Sequence, residues 1–208
     1  CFLERNDPRE VLISNNKIKF KNLNQSSIIG TSSFRREFQL KNKRSDLNYK
    51  LIRGNVDTRI KKLNENLYDA IVLSYAGINS LKLDEHISEV FSTREIIPSA
   101  GQGVIALQCK KDDDYIKNIL NKINHEKTFK SVQAERNVLK VLDGDCETAV
   151  GAISVINNQM ISLEAELFSL DGKERFYCKS SKDIKYALEL GIEIGENLKK
   201  QSKGNYKK

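Results

Sequence analysis

Between residues 27 and 73 short apolar runs alternate with amphipathic stretches, which restricts the chain to few architectures. Strand-like runs fall at 27–29, 49–52 and 70–73. Between them Val56, Ile60, Leu63 and Leu67 recur at steps of four, three and four, so the spacing predicts a helix over 56–67 with one core face. Asn55 or Asp57 can cap its start. Strands alternating with helices point to an α/β unit with a mainly parallel sheet.

The first of these strands runs into Gly30-Thr31-Ser32-Ser33 and then Arg35-Arg36, and a second basic cluster follows at Arg53, Gly54, Asn55 and Arg59. A strand that ends in glycine and hydroxyl residues at a helix start aims backbone N–H groups and the helix dipole at an anion. Forked guanidiniums at the same place suit planar carboxylates or phosphates. Paired arginines alone are more often a solvated face. The preceding Gly-Thr-Ser-Ser and the second cluster make ligand binding the better reading.

The rest of the chain follows two other patterns. Pro98-Ser99-Ala100-Gly101-Gln102-Gly103 is a turn feeding an apolar run at 104–107. Beyond it a helix is predicted over 128–142, with Phe129, Val132, Leu139 and Leu142 inward and Gly144 at the C-cap position. An antiparallel meander is predicted over 150–156, 160–170 and 175–178, with turns at 157–159 and 171–172. A last helix is expected over 184–198, burying Ile184, Leu188, Ile192 and Gly195, before a disordered tail, QSKGNYKK.

The 208 residues carry a net charge of +7, which favours anionic partners, although much of the excess is lysine in loops and the tail. No apolar run approaches the length of a membrane-spanning helix. Cys1, Cys109, Cys146 and Cys178 show no C-x-x-C pairing, which argues against a zinc site or disulfide framework. Cys1, Cys109 and Cys178 read as structural. The polar flanks of Cys146 suggest exposure, although its neighbouring carboxylates disfavour the thiolate. His86 and His125 suit surface or capping roles, and 112–114 a solvated turn or helix start.

Taken in order, ERNDPRE, IIGTSSFRREFQL, IRGNVDTRIKKL, YDAIVLSYAGI, IPSAGQGVIALQCK and AERNVLKVLDGDC resemble the hydroxymethylbilane synthase (porphobilinogen deaminase) family. The resemblance implies two periplasmic-binding-protein-like α/β domains and a small α+β C-terminal domain with an antiparallel three-stranded sheet. On that reading 1–9 and 98–125 are remnants of an incomplete first domain, 10–97 is the anion-binding domain and 126–208 carries a cofactor cysteine. The family joins four porphobilinogen molecules onto a dipyrromethane primer held by a thioether, releasing ammonia.

The family motif Glu-Gly-Gly-Cys stands here as Asp143-Gly144-Asp145-Cys146, and a later proline as Ala149, so Cys146 matches the attachment point. Arg35, Arg36, Arg53 and Arg59, with Thr31, Ser32 and Ser33 as hydrogen-bond donors and Gln102 from the interdomain turn, match positions that hold the polyacidic cofactor and the growing polypyrrole. Where some relatives have another arginine, this chain has Ser80, with Lys82 nearby. The family's catalytic aspartate lies in a Lys-Asp motif upstream of ERNDPRE, and no match to it occurs here. The expectation is therefore a cofactor-carrying part, inactive alone, with the N-terminal segment a candidate partner as a separate chain. A monomer in plastid or cytoplasm is expected, with no nucleic-acid or membrane partner. The competing readings are a non-enzymatic binding module for a small polyanion, and nucleic-acid binding, which the 7% aromatic content without tryptophan disfavours.

Overall fold

A computed structural model describes residues 1–145 and 147–207. The larger lobe is built on a five-stranded sheet of order β3-β2-β4-β1-β5. Its strands are β1 (Glu10–Ser14), β2 (Ile28–Gly30), β3 (Asn48–Lys50), β4 (Ala70–Ser74) and β5 (Glu89–Val90). β3, β2 and β4 run parallel, whereas β1 is antiparallel to both of its neighbours, β4 and β5.

β1 is a strand that the sequence pattern does not announce. Val11, Leu12 and Ile13 are all buried. Val11 and Ile13 join the core on one face and Leu12 the core on the other, so burial on both faces removes the alternation that marks a strand. Helices α1 (Phe34–Lys41), α2 (Val56–Asn64) and α3 (Tyr75–Ser80) cover the sheet. Leu40 of α1 packs in one core, and Ile60, Leu63 and Ile78 of α2 and α3 in the other. Asn55 caps α2 by accepting from the Thr58 N–H at 2.9 Å. α2 ends at Asn64, and Leu67 is 55% exposed, so the predicted core face stops at Leu63.

Two segments connect the lobes. Residues 1–6 and 103–107 lie antiparallel, with Leu3 N–H donating to Ile105 O and Asn6 N–H to Gly103 O. The strand expected over 104–107 is reduced to one bridge, Phe2 with Ala106, because the segment is paired on one side only. Gly103 (φ +78°) lets the two backbones meet; a Cβ there would lie 2.6 Å from Asn6 O. Helix α4 (Asp114–Ile123) follows, capped by Asp113, and buries none of its residues.

The smaller lobe packs α5 (Glu126–Leu142) and α6 (Ala187–Ser202) on an antiparallel sheet of β6 (Val150–Asn157), β7 (Met160–Phe168) and β8 (Arg175–Asp183). β8 continues five residues beyond the predicted end at Cys178, pairing along all of β7. α5 terminates on Asp143, itself left-handed at φ +51°, rather than on Gly144.

Of the face predicted for the last helix, Gly195 is buried but Leu188 and Ile192 are not. Leu188 and Ile192 are 38% and 37% exposed, while Ala187, Leu190, Ile194 and Leu198 are buried. Gly191 decides the orientation: a Cβ there would sit 2.2 Å from Ala134 O, so this stripe presses directly on α5. The tail is ordered as well. Tyr206 is 2% exposed, and its hydroxyl donates to Leu142 O at 2.9 Å.

Candidate functional site

The turn from β2 into α1 carries the densest group of predicted site residues. Ser33 is the N-cap of α1, its hydroxyl accepting from Arg36 N–H. Buried Thr31 shapes the turn, its Oγ1 accepting from Ser33 N–H at 3.2 Å, while Ser32 is exposed. Arg35 and Arg36 then project onto one carboxylate, Glu10 of β1. Arg35 Nη2 lies 2.7 Å from Glu10 Oε1, and Arg36 Nη2 lies 2.9 Å from Oε2.

This cluster is almost dry: Arg35 is 4% exposed and Glu10 is 0% exposed. Arg35 also donates to Ile97 O and Ser99 Oγ, and Arg36 to Val72 O. Burial alone would push the Glu10 carboxyl up, but the Arg36 and Arg35 charges together hold it below the usual range. Burial draws the Arg35 guanidinium down from its ordinary value, against the pull of Glu10, and it remains a cation. Two guanidiniums thus share one carboxylate, and Arg36 Nε is buried without a hydrogen-bond partner. Glu10 Oε2 is likewise buried without a hydrogen-bond partner, and the Glu166 charge also acts on Arg35; two guanidiniums on one carboxylate still favour a further anionic oxygen.

The second basic cluster approaches the first. Partial burial, then the charge of Arg36, lowers the Arg59 guanidinium from its ordinary value. Its Nε donates to Gly54 O at 2.8 Å. Arg53 is exposed, with its carbonyl taken by Lys62. Gln102 stands apart in the connecting segments, where its amide donates to Pro8 O at 2.6 Å. Ser80 ends α3, and Lys82 follows in a left-handed conformation.

Between the lobes lies a cavity of about 380 Å³, whose lining includes Ser33 and Arg35 of the predicted site residues but not Thr31, Ser32, Arg36, Arg53, Arg59 or Gln102. Ser33 and Arg35 line it from the larger lobe, and Arg136, Gly144, Asp145 and Thr148 from the smaller. Cys146 lies outside the described residues; its neighbour Asp145 faces the same cavity as Arg35. Asp145 also organises the loop: its Oδ1 accepts from Glu147 N–H, Thr148 N–H and Thr148 Oγ1, which holds its carboxyl below the usual range. The substitution of aspartate for the motif's second glycine therefore creates a side-chain-capped turn.

Arg136, exposed on α5, was not singled out in the sequence. Its position ten residues before Cys146, on the same side of α5 as Leu139, is the signal that could have found it. Cys1, Cys109 and Cys178 are half-buried free thiols, and burial with Glu193 pushes the Cys178 thiol up. Among the described residues no cluster of histidine, cysteine or carboxylates could hold a metal, and no helix is long and apolar enough to cross a membrane.

Two family models match the chain. Residues 1–118 match "Porphobilinogen deaminase, dipyromethane cofactor binding domain", and residues 129–200 match "Porphobilinogen deaminase, C-terminal domain". The chain belongs to the porphobilinogen deaminase family. A porphobilinogen deaminase of Syntrophomonas wolfei is 39% identical over 199 residues, 96% of this chain and 65% of that protein. That of Desulforamulus reducens is 37% identical over 195 residues, covering 94% and 63%, and that of Caldicellulosiruptor saccharolyticus 41% over 181 residues, covering 87% and 62%. The chain thus spans a little under two-thirds of the length of these relatives.

These relatives are bacterial, so they lend no support to a plastid location. Among solved structures, an arginine-specific periplasmic binding protein of Salmonella typhimurium overlaps 59% of this chain and 56% of its own, at 17% identity and a TM-score of 0.38. A putative methionine-binding lipoprotein of Bacillus subtilis overlaps 58% and 59%, at 15% identity and a TM-score of 0.40. Overlaps this slight carry no argument.

Proposed function

We propose that this chain is the cofactor-holding part of a hydroxymethylbilane synthase, the enzyme that condenses four porphobilinogen units onto a dipyrromethane primer and releases ammonia. The observation that carries the reading is the shared cavity, which sets Arg35 and the α1 N-terminus against the residues flanking Cys146. In this reading Cys146 Sγ forms the thioether. When bound, the dipyrromethane supplies a primer whose acetate and propionate groups present carboxylates to the protein.

The residues divide the work by position. Arg35 is locked by Glu10, Ile97 and Ser99, so it fixes the wall of the cavity and its positive potential. Arg36, whose Nε has no partner, and Arg59 hold carboxylates that shift as the polypyrrole lengthens. Arg136 adds a cation on the cysteine side. Ser32, Arg53 and Gln102 serve at the margins, where substrate enters.

The segments at 1–9 and 98–125 belong, on this reading, to a domain that the longer relatives complete. Ile105, Tyr115, Ile119 and Ile123 are 62%, 74%, 41% and 47% exposed, an apolar surface that suits such packing. The chain alone should bind the primer yet turn over little substrate, and adding the family's N-terminal third should restore turnover. Intact-mass measurement tests the first point. Chain made in a host that synthesises the primer should, after denaturation, exceed its sequence mass by two linked pyrroles and colour with Ehrlich's reagent, and Cys146→Ser should abolish both. An unmodified mass after exposure to primer, or robust porphobilinogen consumption by the 208 residues alone, defeats the proposal.

A further inference from the structure

A second cleft between the lobes, of about 320 Å³, opens at the other end of α1. Lys43, Arg94 and Arg175 line it, all exposed, together with buried Glu166 and Phe168. Lys43 and Arg94 enter none of the ion pairs among the described residues. Glu166 is 2% exposed. Its Oε2 accepts from Arg175 Nε at 2.7 Å, but its Oε1 is buried and has no donor.

Such an acceptor is unfavourable unless something donates to it. Burial pushes the Glu166 carboxyl up, while Arg175, Arg35 and Lys43 pull it back toward the ionised form. A second carboxylate, Glu95, also lines the cleft, but its Oε2 already accepts from the Ser92 amide and hydroxyl, so the cleft offers cationic donors around one buried acceptor without a donor, Glu166 Oε1. An oxyanion without a hydrogen satisfies the donors and is repelled by Oε1. An oxyanion that keeps a hydrogen can donate it to Oε1 while its other oxygens accept from Lys43, Arg94 and Arg175.

We propose that this cleft binds hydrogen phosphate and selects it over sulfate, which has no hydrogen to give at neutral pH. None of the residues lining the cleft is assigned to the cofactor, so the site stands or falls separately from the proposed enzymatic role. Calorimetric titration of the full chain with sodium phosphate and sodium sulfate, at about pH 7.5 and matched ionic strength, tests it. Phosphate should bind at a single site on the order of tenfold more tightly than sulfate, the worth of one charge-assisted hydrogen bond.

Replacing both exposed cations, Lys43→Ala with Arg94→Ala, should weaken phosphate binding on the order of tenfold or more, with the fold intact. Glu166→Gln should bring the two anions level, because an amide can offer N–H to either. Should Glu166→Gln fail to fold, the double cation variant still decides. Equal affinity for both anions in the native chain, phosphate binding unchanged in the double variant, or no binding at all overturns the proposal; the last would mean that Oε1 holds only water.

Discussion

Glu10→Gln isolates the electrostatics of the Arg35–Arg36 cluster with little change of shape. Glu10 Oε1 meets Arg35 at 2.7 Å and Oε2 meets Arg36 at 2.9 Å. With the charge gone, two buried guanidiniums face each other without a counterion. Removing one partner of a buried ion pair costs about 3–5 kcal/mol. With a urea dependence of about 2 kcal/mol per molar, the midpoint of the larger lobe should fall by roughly 1.5–2.5 M.

The pH dependence has a definite sign. The Arg36 and Arg35 charges hold the folded Glu10 carboxyl below its ordinary value, so its contribution is present above that value and disappears as pH falls through the folded pKa. The gap between native chain and Glu10→Gln should therefore be full at neutral pH and close on acidification below about 4.5. Glu65→Gln, which removes an exposed carboxylate 3.9 Å from Lys61, is the control and should move the midpoint by at most about 0.5 kcal/mol equivalent. If Glu10→Gln behaves like that control, or if the gap persists unchanged in acid, the assignment of Glu10 as the counterion of both arginines is wrong.

The smaller lobe gives three further tests. Gly191→Ala, whose methyl would meet Ala134 O at 2.2 Å, should push α6 off α5 and cost about 1–3 kcal/mol in thermal or urea unfolding. Tyr206→Phe leaves Leu142 O without its buried donor and should cost about 1 kcal/mol, a Tm loss of about 2–4 °C by calorimetry. Asp145→Ala should abolish amide hydrogen-exchange protection at Glu147, whose N–H donates to Asp145 Oδ1. In the native chain that protection should persist above the ordinary carboxylate pKa and vanish as pH falls through the lowered folded value, because the hydrogen bond needs the ionised form.

Much of this architecture is legible from residue patterns. The β2–α1 turn, the Asn55 cap, the meander and the Asp113 helix start all follow from local chemistry that neighbours do not override. The failures share a cause: partners distant in sequence. β1 hides because both of its faces are buried, and its leading Glu10 reads as surface charge until two arginines 25 and 26 residues later are folded onto it. α6 has apolar residues on two sides, and only contact with α5 shows that the glycine side is inward. The tail looks like a solvated lysine run, yet Tyr206 finds a cavity and a carbonyl at the end of α5. Within the site, Arg35 reads as a free ligand-gripping cation, whereas three protein partners already occupy it.

Glu135 of α5 accepts from both terminal nitrogens of Arg5, from Gly101 N–H and from the Ser154 amide and hydroxyl. One carboxylate thus rivets the two strands of the bridge to a helix and to the edge of β6. Arg136, the very next residue, lines the main cavity. The bridge cannot shift against α5 or β6 without breaking these bonds, so the position of one side chain ties the link between the lobes to the helix that walls the cavity.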